Sequence, residues 1–190
     1  MMPTDEELIE EINKGSQAAM EVLVKKYYKS IFSYIYRKVG DYHISYDLTQ
    51  EVFIKMMKSI NKYEGRGKFN NWILKIAVNH CNDYYKSKTF KNRTRETKLE
   101  DSMSENNDKV WDLLKKKIER NLVKKEILRL PDYQKDVLIL RYYHDMKLKE
   151  IADITESKES TVKSRLRQGT CKLKKNLLGG EDIEKRKRRF

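Results

Sequence analysis

An all-α protein, arranged as two small helical domains joined by a flexible linker, is predicted by three features of the sequence. Helix breakers are scarce, with two prolines and seven glycines in 190 residues. Apolar residues recur at helical spacing through long stretches on either side of the middle of the chain. Between Lys88 and Asp108 that spacing collapses into FKNRTRETKLEDSMSENND, polar, mixed in charge and almost free of aliphatic side chains. Such a run cannot bury enough surface to order itself, so it reads as a linker. The division is a first domain over 1–88, a linker over 89–109, a second domain over 110–178 and a basic tail over 179–190.

The elements follow in order. A first helix spans Asp5 to Asn13, with Thr4 as its N-cap. A second runs from Gln17 to Val39, a third from about Ser45 to Ile60 and a fourth from Asn70 to about Ser87. Helical spacing resumes with Val110, Leu113, Leu114 and Ile118 and continues to Leu130. Pro131 restarts the chain as a first-turn proline, and VLILRYY makes a buried helix. The short helix LKEIAD, a polar break and the basic stretch STVKSRLRQGTCKLKK then have the outline of a helix-turn-helix. GGEDIEKRKRRF closes the chain as a frayed tail.

Charge narrows the function. The chain carries a formal net charge of +13, which favours polyanionic partners, nucleic acid first among them. The excess is uneven: up to Ile60 there are 8 Lys plus Arg against 9 Asp plus Glu, net −1, and from Asn61 onward 34 against 20, net +14. The near-neutral start is therefore suited to a different kind of partner. Cys81 and Cys171 are too isolated for a disulfide framework or a zinc site. No apolar run reaches the length of a membrane span, and the start MMPTDEELIEE is acidic where a signal peptide would be basic and then apolar. A cytoplasmic protein with reduced thiols and no membrane insertion is the expectation.

On a helical wheel from Val162, the residues Val162, Leu166, Gly169, Thr170 and Leu173 share one arc, while Lys163, Ser164, Arg167, Gln168, Cys171 and Lys175 share the opposite one. The first arc docks on the preceding helix, where Ala152 permits a close crossing. The second offers side chains that hydrogen-bond base edges and phosphates in a major groove. Thr161 precedes this surface, and Arg165 and Lys172 sit on its flank, where backbone contact is expected.

The segment DLTQEVFIKMMKSI buries Leu48, Val52, Met56 and Ile60, with Phe53 and Met57 at the edge. Its other face, Asp47, Gln50, Glu51, Ile54 and Lys58, mixes carboxylates, an amide and an aliphatic residue, a composition suited to a protein partner. In NKYEGRGKFNNWILKIAVNHCNDYY, aromatic side chains crowd among basic and amide residues. Aromatic faces stack on unpaired bases, so this segment suits a single strand. Phe69 and Trp72 divide between that role and the core.

Four blocks together, DLTQEVFIKMM, YEGRGKFNNWILKIAVN with Asp83 after it, LPDYQKDVLILRYYHDMKLKEIADI and STVKSRL, resemble the bacterial sigma-70 family, specifically the short extracytoplasmic-function (ECF) sigma factors. The resemblance spans nearly all of the chain outside the linker and tail. It implies a promoter-recognition subunit of RNA polymerase, with core polymerase (its beta-prime and beta subunits) and promoter DNA, duplex and single-stranded, as partners. Residues 1–88 would correspond to region 2 and 110–178 to region 4. By that match Asp47, Gln50, Glu51, Phe53 and Ile54 would contact the clamp helices of beta-prime. Tyr63, Lys68, Asn71, Trp72, Lys75 and Asn79 would melt and read the −10 element, the loop from Tyr63 to Lys68 capturing an extruded base. Thr161, Lys163, Ser164, Arg165, Arg167 and Gln168 would read the −35 element, and the linker would thread near the RNA exit route. Many ECF sigma factors are held by an anti-sigma factor, a partner that the resemblance admits and that no residue here identifies.

The sequence departs from the family pattern at the turn, where Glu156 replaces the usual glycine and Ser157 the usual apolar residue. Gln168 and Thr170 stand where basic residues are common, and Gly169 replaces an alanine. Weaker or altered −35 recognition is the expectation. A stand-alone helix-turn-helix regulator is the alternative, and the DLTQEVF block argues against it. Catalysis is not expected: His43, His80 and His144 are remote from one another in sequence, and GRGK lacks the spacing of a phosphate loop. No cofactor or metal is implied.

Overall fold

A computed structural model describes residues 3–64, 68–87 and 121–187, with side chains to Leu178. The linker assigned to 89–109 and the apolar positions from Val110 to Ile118 lie outside the described residues. Those described form helices and connecting turns with no strand among them. The first domain holds α1 (Asp5–Asn13), α2 (Gln17–Val39), α3 (Tyr42–Ser59), a 3-10 turn (Ile60–Lys62) and α4 (Phe69–Lys86). The second holds a helical stretch over 121–128 (α5), then α6 (Asp132–Tyr143), α7 (Leu148–Ile154) and α8 (Glu159–Lys187).

Local chemistry accounts for the boundaries. Thr4 caps α1 with a reciprocal box: its hydroxyl accepts from the Glu7 amide at 3.2 Å and its amide donates to the Glu7 carboxylate at 2.7 Å. Two otherwise orphaned donors are satisfied by one pair of residues. Ser16 caps α2, and Gly40 ends it in the left-handed region at φ 87. α3 begins at Tyr42, three residues earlier than the hydrophobic spacing indicates, because Asp41 accepts from the Ile44 amide at 2.8 Å. Pro131 sits one residue outside α6 rather than in its first turn. The apolar run of α6 is buried only from Val137 to Leu140, and Tyr142 and Tyr143 are exposed. α8 continues through Lys187, so the backbone of the expected tail from 179 onward is helical to that point.

The core of the first domain gathers Leu23, Ile31, Ile35, Val52, Met56, Ile73, Leu74 and Ala77. That of the second gathers Val137, Ile139, Leu140, Ile151, Ile154 and Val162. The two are continuous. α2 packs against α6 and α4 against α7, so the domains are docked on each other.

Candidate nucleic-acid interface

The exposed face of α3 is as the spacing indicates, but one residue that the resemblance adds to it is not there. Asp47, Gln50, Glu51 and Ile54 are solvent-facing, and Ile54 is 46% exposed, an unpartnered aliphatic among polar groups. Phe53 is not among them: it is 6% exposed and its ring lies 6.0 Å from Tyr28 in a stacked pair. A 100° step from Val52 turns it inward towards α2, so its role is in the protein's own core. Beside this face, Lys55 Nζ lies 2.8 Å from His80 Nδ1, and Glu51 Oε2 lies 2.9 Å from His80 Nε2. Burial, with Lys55 in support, holds the His80 imidazole below its usual pKa, and Glu51 opposes that. The residues border a cleft of about 390 Å³ together with Asp47, Asp83 and Tyr84.

At the start of α4, three aromatics close on one another. Tyr63 lies 5.3 Å from Phe69 and 5.4 Å from Trp72, and Phe69 lies 5.4 Å from Trp72. Phe69 is buried, whereas Tyr63 and Trp72 keep part of their surface in solvent. The Tyr63 hydroxyl accepts from the Lys68 amide at 3.1 Å, and the capture segment from Tyr63 to Lys68 otherwise includes Gly65 to Gly67, which lie outside the described residues. Lys68 and Asn79 are exposed and Asn71 and Lys75 partly so, along one helix. This is a row of amide and ammonium donors leading from an aromatic cluster, able to take phosphates and base edges beside stacked bases.

In α7 and α8 the turn is built as a left-handed cap. Glu156 has φ 49, and the Ser157 amide reaches back to the Ala152 carbonyl at 3.0 Å, closing a Schellman-type end. Glu156 thus adopts the conformation a glycine would, with the strain that a Cβ brings. Val162 and Gly169 face inward as the wheel indicates. Thr170 does not: it is exposed, with its hydroxyl donating to the Leu166 carbonyl at 2.8 Å. Gly169 has a packing reason, because a Cβ there would stand 2.9 Å from Leu138 Cδ1. Lys163, Ser164, Arg167 and Gln168 are exposed on the outer face, and Thr161 is half-buried. Arg165 is engaged within the chain, donating to Ser157 Oγ at 2.8 Å with its guanidinium 5.4 Å from the Tyr133 ring.

Two family models, Sigma-70 region 2 and Sigma-70 region 4, match residues 23–90 and 120–171, in that order and over more than half of the chain. The chain belongs to the sigma-70 family. Region 2 takes in most of α2 with α3 and α4, and region 4 takes in α5 to α7 and α8 as far as Cys171. The chain is 29% identical to the ECF RNA polymerase sigma factor SigW of Bacillus subtilis, over 89% of this chain and 94% of that protein. Its fold is similar to CnrH in a complex with the cytosolic domain of CnrY, at TM-score 0.66 and 18% identity, covering 90% of this chain and 96% of that one. It is also similar to the sigma factor RpoE in a complex with the anti-sigma factor NepR from Bartonella quintana, at TM-score 0.62 and 15% identity, covering 83% and 95%. A region 2 joined to a region 4 distinguishes a sigma factor of the ECF type from a stand-alone helix-turn-helix regulator. Sigma factors are transcription initiation factors and not enzymes as such. No described helix is long and apolar enough to cross a membrane.

Proposed function

We propose that the protein binds core RNA polymerase in the cytoplasm and directs promoter-specific initiation, region 2 docking on the core and opening the −10 element while region 4 reads the −35 element as duplex. The working units are 1–88 and 110–178, tethered by 89–109, with 179–190 outside the reading domain. One observation supports this most: a single helical domain presents both the mixed polar and aliphatic face of α3 and the aromatic and amide row of α4. A protein partner and a single strand can therefore be held side by side.

Asp47, Gln50, Glu51 and Ile54 are the core-binding side chains. Tyr63 and Trp72 supply ring surface for an unstacked base, and Lys68, Asn71, Lys75 and Asn79 supply backbone and base-edge contacts. The few kcal/mol needed to extrude a base come from stacking and pocket contacts, so no hydrolysis or cofactor is required. Lys163, Ser164, Arg167 and Gln168 face the major groove, with Thr161 and Arg165 on its flank. An anti-sigma factor is a further partner, on the habit of the family and the likeness in fold to RpoE bound to NepR.

Run-off transcription with and without core polymerase tests the reading. Transcripts that require both core and this chain support it. Specific promoter binding by the chain alone, with no dependence on core, supports an independent regulator instead.

A further inference from the structure

The aromatic cluster at the start of α4 rests on a ring from another helix. Tyr27, on the inward side of α2 and 9% exposed, places its ring 5.0 Å from that of Phe69. Phe69 is buried in turn and meets Tyr63 edge to face at 5.3 Å and Trp72 at 5.4 Å. The far end of Tyr27 is tied to α1: its hydroxyl donates to Asp5 Oδ2 at 2.5 Å, and Lys26 Nζ donates to Asp5 Oδ1 at 2.8 Å. Both carboxylate oxygens are therefore committed to two successive residues of α2. Buried Leu8 and Ile9 seat α1 on the same helix.

α1 lies outside the stretch 23–90 that matches region 2. It nonetheless reaches, through Tyr27 and Phe69, the rings assigned to the extruded base. Burial raises the Tyr27 phenol above its ordinary pKa, and the Asp5 hydrogen bond adds to this, so the hydroxyl stays a donor. Burial also raises Tyr63, the Lys68 amide opposes that, and the charges of Glu6 and Asp5 add to it. The acidic first turn of α1 therefore lies within electrostatic reach of the cluster.

We propose that Asp5 is a positioning residue for base capture: through the Tyr27 hydroxyl it fixes the ring on which Phe69 rests, and so presets Tyr63 and Trp72 before a base arrives. This rests on the assignment of Tyr63 and Trp72 to the −10 element. The physical reason is pre-organisation. Tyr63 and Trp72 keep part of their surface in solvent, and a ring free to choose among orientations must be ordered when a base stacks on it, which subtracts from the stacking. A supporting ring held at one end by Phe69 and at the other by a charge-assisted hydrogen bond settles that ordering during folding.

The test uses the full chain assembled on core polymerase, with core alone as the blank, and labelled strands of about twelve sugars followed by anisotropy. One strand is abasic throughout, and the others carry a single base at the centre, each base in turn. The ratio of the affinities reads capture of that base apart from what the phosphates contribute. For the wild type a preference of about tenfold over the abasic strand is expected for at least one base. Asp5→Ala and Tyr27→Phe are each expected to cut that preference about fivefold, with no loss of affinity for the abasic strand. Asp5→Asn, whose amide oxygen still accepts from Tyr27, is expected to keep most of it, and Tyr63→Ala to abolish it. Thermal melts follow each variant: a melting temperature that falls while the preference stays at the wild-type value shows a merely structural tie and overturns the proposal. Equal losses in Asp5→Asn and Asp5→Ala, with Tyr27→Phe unaffected, overturn it too, since charge and not orientation would be at work. A wild type with no preference overturns base capture by this cluster, and the role of Asp5 with it. A preference that Tyr63→Ala alone removes keeps base capture and overturns the role of Asp5.

Discussion

Glu156 reaches across the domain junction to Lys75, with Oε1 2.9 Å from Nζ, and does so from a left-handed backbone at φ 49. Both groups keep much of their surface in water, so the pair is worth at most about 1 kcal/mol. The backbone conformation costs about as much, because the Cβ crowds the following carbonyl. The departure from a turn glycine thus exchanges local strain for a contact that a glycine could not make.

Replacing Glu156 separates those terms. Glu156→Ala keeps the strained Cβ and loses the contact, whereas Glu156→Gly loses both. The glycine variant is expected to be more stable than the alanine variant by about 1 kcal/mol. Thermal melts of the two chains measure the difference, and an alanine variant at least as stable as the glycine one would rule out strain at this turn.

The buried pair at the junction gives a sharper double-mutant case. Lys38→Met leaves Asp136 buried without its cation and is expected to destabilise the chain by about 3 kcal/mol, since the lost partner and not the lost attraction dominates. Lys38→Met with Asp136→Leu removes both charges and fills the space with apolar atoms, recovering most of that loss. Urea unfolding of the two variants reads the cycle. A double variant no better than the single one would mean that the Tyr34 and Asn82 bonds, and not the charges, hold the site.

Much of the fold was legible because it depends on short-range chemistry. The capping box of Thr4 and Glu7, the alternation of buried and exposed positions along α3 and the pairing of α7 with α8 all follow from residues within a few positions of one another. Docking of the domains was not, since it depends on Lys38 meeting a residue 98 positions away. A signal was present: Lys38 shares the inward arc of α2 with Ile31, Tyr34 and Ile35, all fully buried. A lysine is ordinarily read as solvated, so the arc alone did not disclose its partner. Thr170 was assigned from its angle on a wheel, which locates an arc but not the width of the neighbour that covers it, whereas Phe53, at the edge of its arc, was assigned outward by the resemblance alone. In the site, the exposure of Asp47, Gln50, Glu51 and Ile54 on α3 and of Lys163, Ser164, Arg167 and Gln168 on α8 follows the helical spacing, whereas the α4 residues came with the resemblance. The contacts of Asn71 with Glu150 and of Lys75 with Glu156 follow from tertiary structure, for which no local pattern exists.

Gly169 tests helix propensity against packing. In an open helix, alanine would be favoured over glycine by about 1 kcal/mol. Here the added Cβ would stand 2.9 Å from Leu138 Cδ1 and 3.5 Å from Gln134 Cβ, so α8 or the Leu138 side chain must give way. Gly169→Ala is expected to lose about 1 kcal/mol net, the overpacking exceeding the gain in propensity. In a Leu138→Val background, where the nearest atom is gone, the same substitution is expected to stabilise. A gain in both backgrounds would mean that Leu138 adapts at no cost.

Acid is expected to weaken the docked form through His144. The ring closes α6 against α2, with Nδ1 3.4 Å from Ser30 Oγ and its centroid 6.1 Å from that of Tyr34. Burial, with the Arg37 guanidinium adding to it, pushes the imidazole down to about 4 from an ordinary 6.5, while Asp145 opposes the shift. Because the folded value is the lower one, the unfolded chain binds more protons between those two values. Stability is therefore full above pH 6.5 and falls as pH drops towards about 4, by at most about 1.4 kcal/mol per pH unit. His144→Gln is expected to flatten this slope in urea midpoints taken from about pH 7.5 to 5.5, a range above most of the carboxylate titration. His80, also held low by burial, supplies what slope remains. An unchanged slope in the variant would place the acid sensitivity at His80 and away from the domain junction.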